Sequence, residues 1–447
     1  MALSGDIPNR NDRLITTPQV ARAVEAAEVL FDAGDPGAVD IYEPRNSLEA
    51  NAAVRRLGQS FEELPGTITR VLEAASGSAE LLSSDRLQGL AEIVQNADDA
   101  GASQVRLLLT PTDLLVTHDG KPVRLRHVLG FATPWLSTKS DDPASVGRFG
   151  IGLMTLRALS ATLEVHCPPY HVRIGEPTIS PVDSSTLPPG FQKEGWTTLR
   201  IPVREGSISS EELVAWLDRW DDAALLFLRH VSRVTLLAPA GKPIRELSLR
   251  RTDHEVVVVG ETTTVETILR HHAEVDDGRS WAVFSTEVES PKGLSRARKA
   301  TGRTTPIAVA LPLSPVHSGM VYAGLPVAAT TSPLFVSAQY DPLTSRLDFA
   351  DNEWNRALVP LVARLWSHAA LDLFSRDPKA AWLAMPVTKT PEGEDTRWSV
   401  VRQIEEQATN RARYWLSSCL SFRVQGKGPI SLSELAVEAR PLEHILT

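Results

Sequence analysis

The run GLAEIVQNADDAGASQVRLLL, residues 89–109, constrains the fold more than any other stretch of the chain. Leu90, Ile93, Val94 and Ala97 recur at helical spacing and form one apolar stripe. Glu92, Asn96 and Asp99 fall at i, i+4 and i+7, a narrow polar stripe on the other side. Gly101 ends the helix as a left-handed cap, and the strand-like QVRLLL begins three residues later. A helix with one apolar stripe, feeding directly into a strand, predicts helices laid on one face of a sheet. The polar stripe is then either a solvated helix face or the wall of a site.

At 447 residues the chain exceeds one ordinary core and predicts two or three domains. Its 42% hydrophobic and 23% charged residues are those of a globular protein. A formal net charge of −9 gives no general attraction to phosphate backbones or anionic lipid, which argues against a nucleic-acid or membrane partner. Cys167 and Cys419 stand far apart without a second thiol or histidine at metal-ligand spacing, as expected of reduced core cysteines. The opening MALSGDIPNRNDRL lacks the apolar core of a signal peptide, and no segment holds eighteen uninterrupted apolar residues. The expected location is the cytoplasm.

The order of elements predicts four regions. Residues 1–60 read as an N-terminal helical arm around TPQVARAVEAAEVLFDAG. Residues 61–205 carry helices and then the strands QVRLLL, DLLVTHDG, TLEVHC, YHVRIG and TTLRIPV. Residues 206–380 form a second α/β domain, from the helix SSEELVAWLDRW through SRVTLLA, HEVVVVG, WAVFST and PIAVALPL to the helix EWNRALVPLVARLWSHAALDLF. The proline-rich PKAAWLAMPVTKTPEGED marks a boundary before a helical C-terminal segment, residues 381–447. The last stretch, ISLSELAVEARPLEHILT, reads as the start of another packed helix, so the chain is expected to be part of a longer protein.

Further along, VGRFGIGLMTLRALS sets Gly147, Gly150 and Gly152 directly before an apolar helix. Glycines at a helix start let backbone N–H groups approach a phosphate, and the helix dipole favours the anion. The run matches neither the G-x-x-x-x-G-K-[ST] loop nor the dinucleotide G-x-G-x-x-G order. Between the two helices lie THDGKPV, a tight turn after a strand, and FATPWLSTKSDDPAS, a polar loop of small residues suited to a lid.

Taken in order, E-x-x-x-N-A-x-D-A on a helix, a D/G turn, a polar loop, G-x-F-G-I-G and a later strand threonine resemble the GHKL ATPases. That superfamily joins DNA gyrase, the large heat-shock chaperones, sensor histidine kinases and the MutL mismatch-repair proteins. Within it, EIVQNADDAGA, STKSDDPASVGRFGIG, WTTLRIPVR and LLFLRHVSRVTL are most similar to the ATPase-like repeat of sacsin and its bacterial relatives. The resemblance continues through GLPVAATTSPLFVSAQYDPLTSRLDFADNEWNRAL and so spans roughly residues 85–375.

The resemblance implies an α+β protein: a GHKL (Bergerat) two-layer α/β sandwich, then a second α/β domain and a helical tail. It assigns Glu92 as the general base that orients the attacking water, a task that suits a partly desolvated carboxylate. Asn96 supplies a neutral oxygen to Mg²⁺, and Asp99 fixes the pocket's hydrogen bonds. Gly147, Arg148, Phe149, Gly150, Ile151 and Gly152 approach the phosphates, Lys139 adds charge from the lid, and Thr197 hydrogen-bonds near the adenine. Arg346, in LTSRLDF, reaches the γ-phosphate.

One position departs from the family's pattern. Where the family carries D-x-G-x-G, this chain reads THDGKPV, with His118 at the aspartate's place, Asp119 one residue on, then Gly120, and Pro122 for the second glycine. Neighbouring side chains of a strand point to opposite faces, so only one of His118 and Asp119 addresses the base; the proline is expected to shift the turn in favour of Asp119. The function implied is ATP binding with slow Mg²⁺-dependent hydrolysis that drives lid and domain closure, chaperone-like, with a protein client and compatible with self-assembly. The alternative is a non-hydrolysing nucleotide-binding scaffold or sensor that presents a surface to a protein partner. Retention of Glu92 favours the enzyme, and the absence of a preceding phosphoacceptor helix argues against a sensor kinase.

Overall fold

Gly101 takes φ +77°, which a side chain would oppose, and with it helix α3 (Gln88–Asp99) closes in a Schellman turn. The Ala102 N–H donates to the Ala97 carbonyl and the Gly101 N–H to that of Asp98, each at 2.9 Å. Strand β1 (Gln104–Leu109) starts three residues beyond the cap, as the sequence predicts. The computed structural model describes residues 17–33, 37, 39–68, 70, 87–133, 156, 159–175, 179–183, 187–188, 191, 194–204, 206–259, 266–294, 303–343, 347–386, 398–418, 421–423 and 429–431. These form a mixed α/β protein of two compact units. The first takes the described residues of Met1–Asp141, Gly147–Trp216 and Val234–Glu246, the second those of Leu217–Arg233 and Leu247–Thr447.

The first unit is built on the strand order β7-β1-β2-β6-β3-β4-β5. Its strands are β1, β2 (Asp113–His118), β3 (Leu163–Cys167), β4 (Tyr170–Ile174), β5 (Ile179–Pro181), β6 (Thr197–Pro202) and β7 (Arg233–Leu237). Each pair from β1 through β5 is antiparallel. Register decides what each face carries. Leu107, Val116, Leu199 and Val165 share one rung, and Val105, His118 and Thr197 the next on the same face.

That apolar face lies under the helical layer, where the Val123 N–H donates to Cys167 Sγ at 3.3 Å and Glu43 accepts from both the Leu125 N–H and the Tyr170 hydroxyl. Helices α1 (Pro18–Asp32) and α2 (Ser47–Glu62) pack on each other, with Phe31 edge-on to Phe61, and α2 lies against β4 and β5; α4 (Leu125–Ala132) and α5 (Ser210–Trp220) follow later in the chain. The opposite face carries Glu164, His166, Arg173 and Arg200, with Leu187 and Phe191 packed on Leu108 and Leu115.

The second unit is a mixed sheet backed by helices. Strands β10 (Glu266–Val275), β11 (Ser280–Glu289), β12 (Thr304–Pro312), β15 (Phe335–Ala338), β13 (Met320–Ala323) and β14 (Leu325–Ala329) follow in that order, with β13 and β15 parallel. Strand β9 (Glu255–Val259) and the end of β8 (Pro243–Arg251) pair with β10. Helix α6 (Glu353–Arg376) lies over β11 and β12, burying Trp354, Leu358, Val362, Trp366, Ala370 and Leu373, and it runs on through Pro360. It is the one described helix long and apolar enough to cross a membrane, and here it is a core helix.

Helices α7 (Pro378–Leu383) and α8 (Val400–Ser418) join the same core. Trp415 of α8 stacks on Trp366 with ring centroids 5.5 Å apart. Glu405, buried on α8, accepts from the N–H and hydroxyl of both Thr331 and Ser332, at 2.7–3.0 Å.

Candidate functional site

Helix α3 carries the polar stripe as expected: Glu92, Asn96 and Asp99 are half-buried while Leu90, Ile93, Val94 and Ala97 are buried. Its first turn sits against the residue that follows the glycine-rich run by four positions. A Cβ on Gly89 would lie 2.5 Å from Leu156 Cδ2 and 3.0 Å from the Leu156 nitrogen, so only glycine permits this approach. Gly147, Arg148, Phe149, Gly150, Ile151, Gly152, Lys139 and the lid segment 137–146 lie outside the described residues.

The other end of α3 meets the turn after β2. The Lys121 N–H donates to the Ala100 carbonyl at 2.8 Å, and a Cβ on Gly120 would come within 3.0 Å of the Ala100 Cβ. This contact sets His118 and Asp119 beside the end of the polar stripe. The expectation that Asp119 turns to a base meets a different arrangement. Its carboxylate accepts from the Ser103 N–H at 2.8 Å, the Ser103 hydroxyl at 2.6 Å, the Gln104 N–H at 3.1 Å and the Gln104 side chain at 3.3 Å. Burial opposes the charge, but the bonds from Ser103 and Gln104 prevail and hold the carboxyl below its ordinary range. Asp119 thus fastens the start of β1, and His118 is the one of the two that faces the helical layer.

His118 is buried and its Nδ1 accepts from the Gly120 N–H at 3.2 Å, so the neutral ring carries its proton on Nε2. On the adjoining strand its register partner is Thr197. Thr197 is 3% exposed, and its hydroxyl has no hydrogen-bond partner among the described residues. An unmet buried hydroxyl costs free energy, so each such group calls for an explanation, of which a bonding ligand or water is one. The next residue, Thr198, is by contrast satisfied by Thr117 Oγ1 at 2.9 Å and the Phe191 carbonyl at 2.8 Å.

Chemically, the stripe offers two carboxylates and one neutral amide oxygen beside a buried donor and an unmet hydroxyl. Among the described residues no three His, Cys, Asp or Glu groups are placed to hold a metal ion. Two further residues of α3, Gln95 and Asp98, are buried polar groups that the stripe did not include. They stand roughly 60° and 120° round the helix from Glu92, and their spacing alone does not separate them from a solvated edge.

In the second unit, Pro342 and Phe349 form an isolated antiparallel bridge, and the Leu343 N–H donates to the Asp348 carbonyl at 2.8 Å. Arg346 itself lies outside the described residues. Comparison of the chain with protein-family models and with curated protein sequences returns no match.

Proposed function

We propose that the first unit binds Mg²⁺·ATP along α3 and hydrolyses it slowly, in the manner of the GHKL ATPases whose motifs its sequence resembles. The observation that carries this reading is the unmet Thr197 hydroxyl beside His118, at the end of the helix that bears Glu92, Asn96 and Asp99. In this reading His118 and Thr197 line the base, and Glu92 takes the proton of the attacking water. Asn96 gives one oxygen to the cation, Asp99 orders the pocket, and Gly147–Gly152 with Lys139 meet the phosphates. Hydrolysis drives closure of the 137–146 lid in a chaperone-like cycle on a protein client in the cytoplasm.

Steady-state hydrolysis by the wild type and Glu92→Ala tests it. Removing a group used mainly in the transition state should abolish turnover while nucleotide affinity stays within about tenfold. Equal rates in the two proteins would refute the assignment. Binding without turnover in both would leave the scaffold reading in its place.

A further inference from the structure

We propose that His166 and His171, on the polar face of the first unit's sheet, form a single-proton switch that holds the β3–β4 hairpin. The two are direct cross-strand partners, and their Nδ1 atoms are 3.2 Å apart. Their ring centroids are 5.4 Å apart, close to that gap plus two ring radii, so the nitrogens point head-on at each other. A shared metal ion would need both lone pairs to converge on a third point. Head-on nitrogens fit one proton, given by one ring and accepted by the other.

The neighbours decide which ring gives it. His166 Nε2 is 3.3 Å from Glu164 Oε2, and both side chains are almost wholly buried. Burial works against the Glu164 charge, but bonds from His166 and Arg173 and the charges of Arg200 and Arg173 bring its carboxyl down to about 2. An ionised carboxylate only accepts, so His166 keeps its proton on Nε2 and presents a bare Nδ1. His171 therefore donates from Nδ1.

One added proton is accommodated by reversal: His166 becomes doubly protonated and donates to both Glu164 and His171, whose own proton moves to Nε2. A second added proton would set two N–H groups face to face across 3.2 Å and break the contact. Burial, and after it the neighbouring His166, push the His171 imidazole below its usual value, while the charge of Asp183 beyond β5 works the other way. Among the described residues of strands β1 to β6 the other charged groups on this face are Arg173 on β4, Arg200 on β6, Arg106 on β1, and Asp113 on β2, which accepts from Arg200 Nε at 2.8 Å. The hairpin contact thus persists with no added proton or one, and acid releases it when the second arrives.

Histidine-selective ¹⁵N NMR on the full chain tests the proposal. At neutral pH a nitrogen–nitrogen coupling across the hydrogen bond should join the two Nδ1 atoms. On acidification the wild-type pair should take up its two protons in separated steps, and His171→Phe should abolish the coupling. The wild-type spectra decide by themselves if the variant fails to fold. Absence of the coupling, or uptake of both protons in a single step, overturns the proposal.

Discussion

A buried hydroxyl without a partner costs roughly 1–3 kcal/mol, so Thr197→Val, which removes it at nearly constant volume, separates stability from function. The ligand-free variant should be as stable as the wild type or more so in urea unfolding, while its nucleotide affinity falls about tenfold, the worth of one hydrogen bond. A variant that loses stability and keeps its affinity would make Thr197 structural. His271 gives a second, pH-dependent test. It is buried, neither ring nitrogen has a partner among the described residues, and the ring meets His254 edge-on with centroids 4.7 Å apart. Burial first, then the charges of His254, Arg251 and His272, bring its imidazole down from 6.5 to about 4. Between those values the unfolded chain binds a proton that the folded chain refuses, so stability falls as pH drops through this window. The loss approaches on the order of 3 kcal/mol near pH 4, with no contribution above the unfolded value. Urea midpoints of the wild type against His271→Leu should diverge in slope only across this window.

Among the elements, α8 depends most on a single side chain. Glu405 gathers four donors from Thr331 and Ser332, two of them backbone N–H groups. Glu405→Ala leaves the two Ser332 donors unmet in a buried place, which should cost about 2–4 kcal/mol, summed over two groups. Hydrogen exchange should quicken along α8 before it does along β11 and β12, and uniform quickening would deny Glu405 this local role. The stripe Val400, Ile404, Ala408, Ala412 and Trp415 is legible as a helix face in the sequence; that it lies on α6 is not. Strands β5, β8, β10, β13, β14 and β15 are not among those the sequence predicts, and for β10 the reason is related. Segments such as ILRHHAEV carry polar residues at buried positions, His271 among them, so they lack the alternation that marks a half-buried strand. Helix α3 was legible to its last residue, because its stripe and its Gly101 cap are local properties.

For the whole molecule, the described candidate residues on α3, β2 and β6 belong to the first unit, so the proposed ATP binding predicts a local response. Saturating Mg²⁺·ATP should slow amide exchange in α3 and β6, by about 2.7 kcal/mol of added stability at a hundred times Kd. The α6 core of the second unit should keep its ligand-free rates, and equal protection in both units would place the binding energy elsewhere. The sequence by itself determined the mixed α/β class, the helix α3 with its half-buried polar stripe, and most strands of the first unit, since periodicity and capping act within a few residues. The family resemblance, carried by motif order, supplied roles for those residues. Only the tertiary structure decided that Asp119 serves Ser103 and Gln104, that His118 shares a rung with an unmet Thr197 hydroxyl, and that His166 meets His171 above Glu164. Those pairings turn on strand register and on which face each side chain takes, and a shift of one residue along either strand would reverse every one of them.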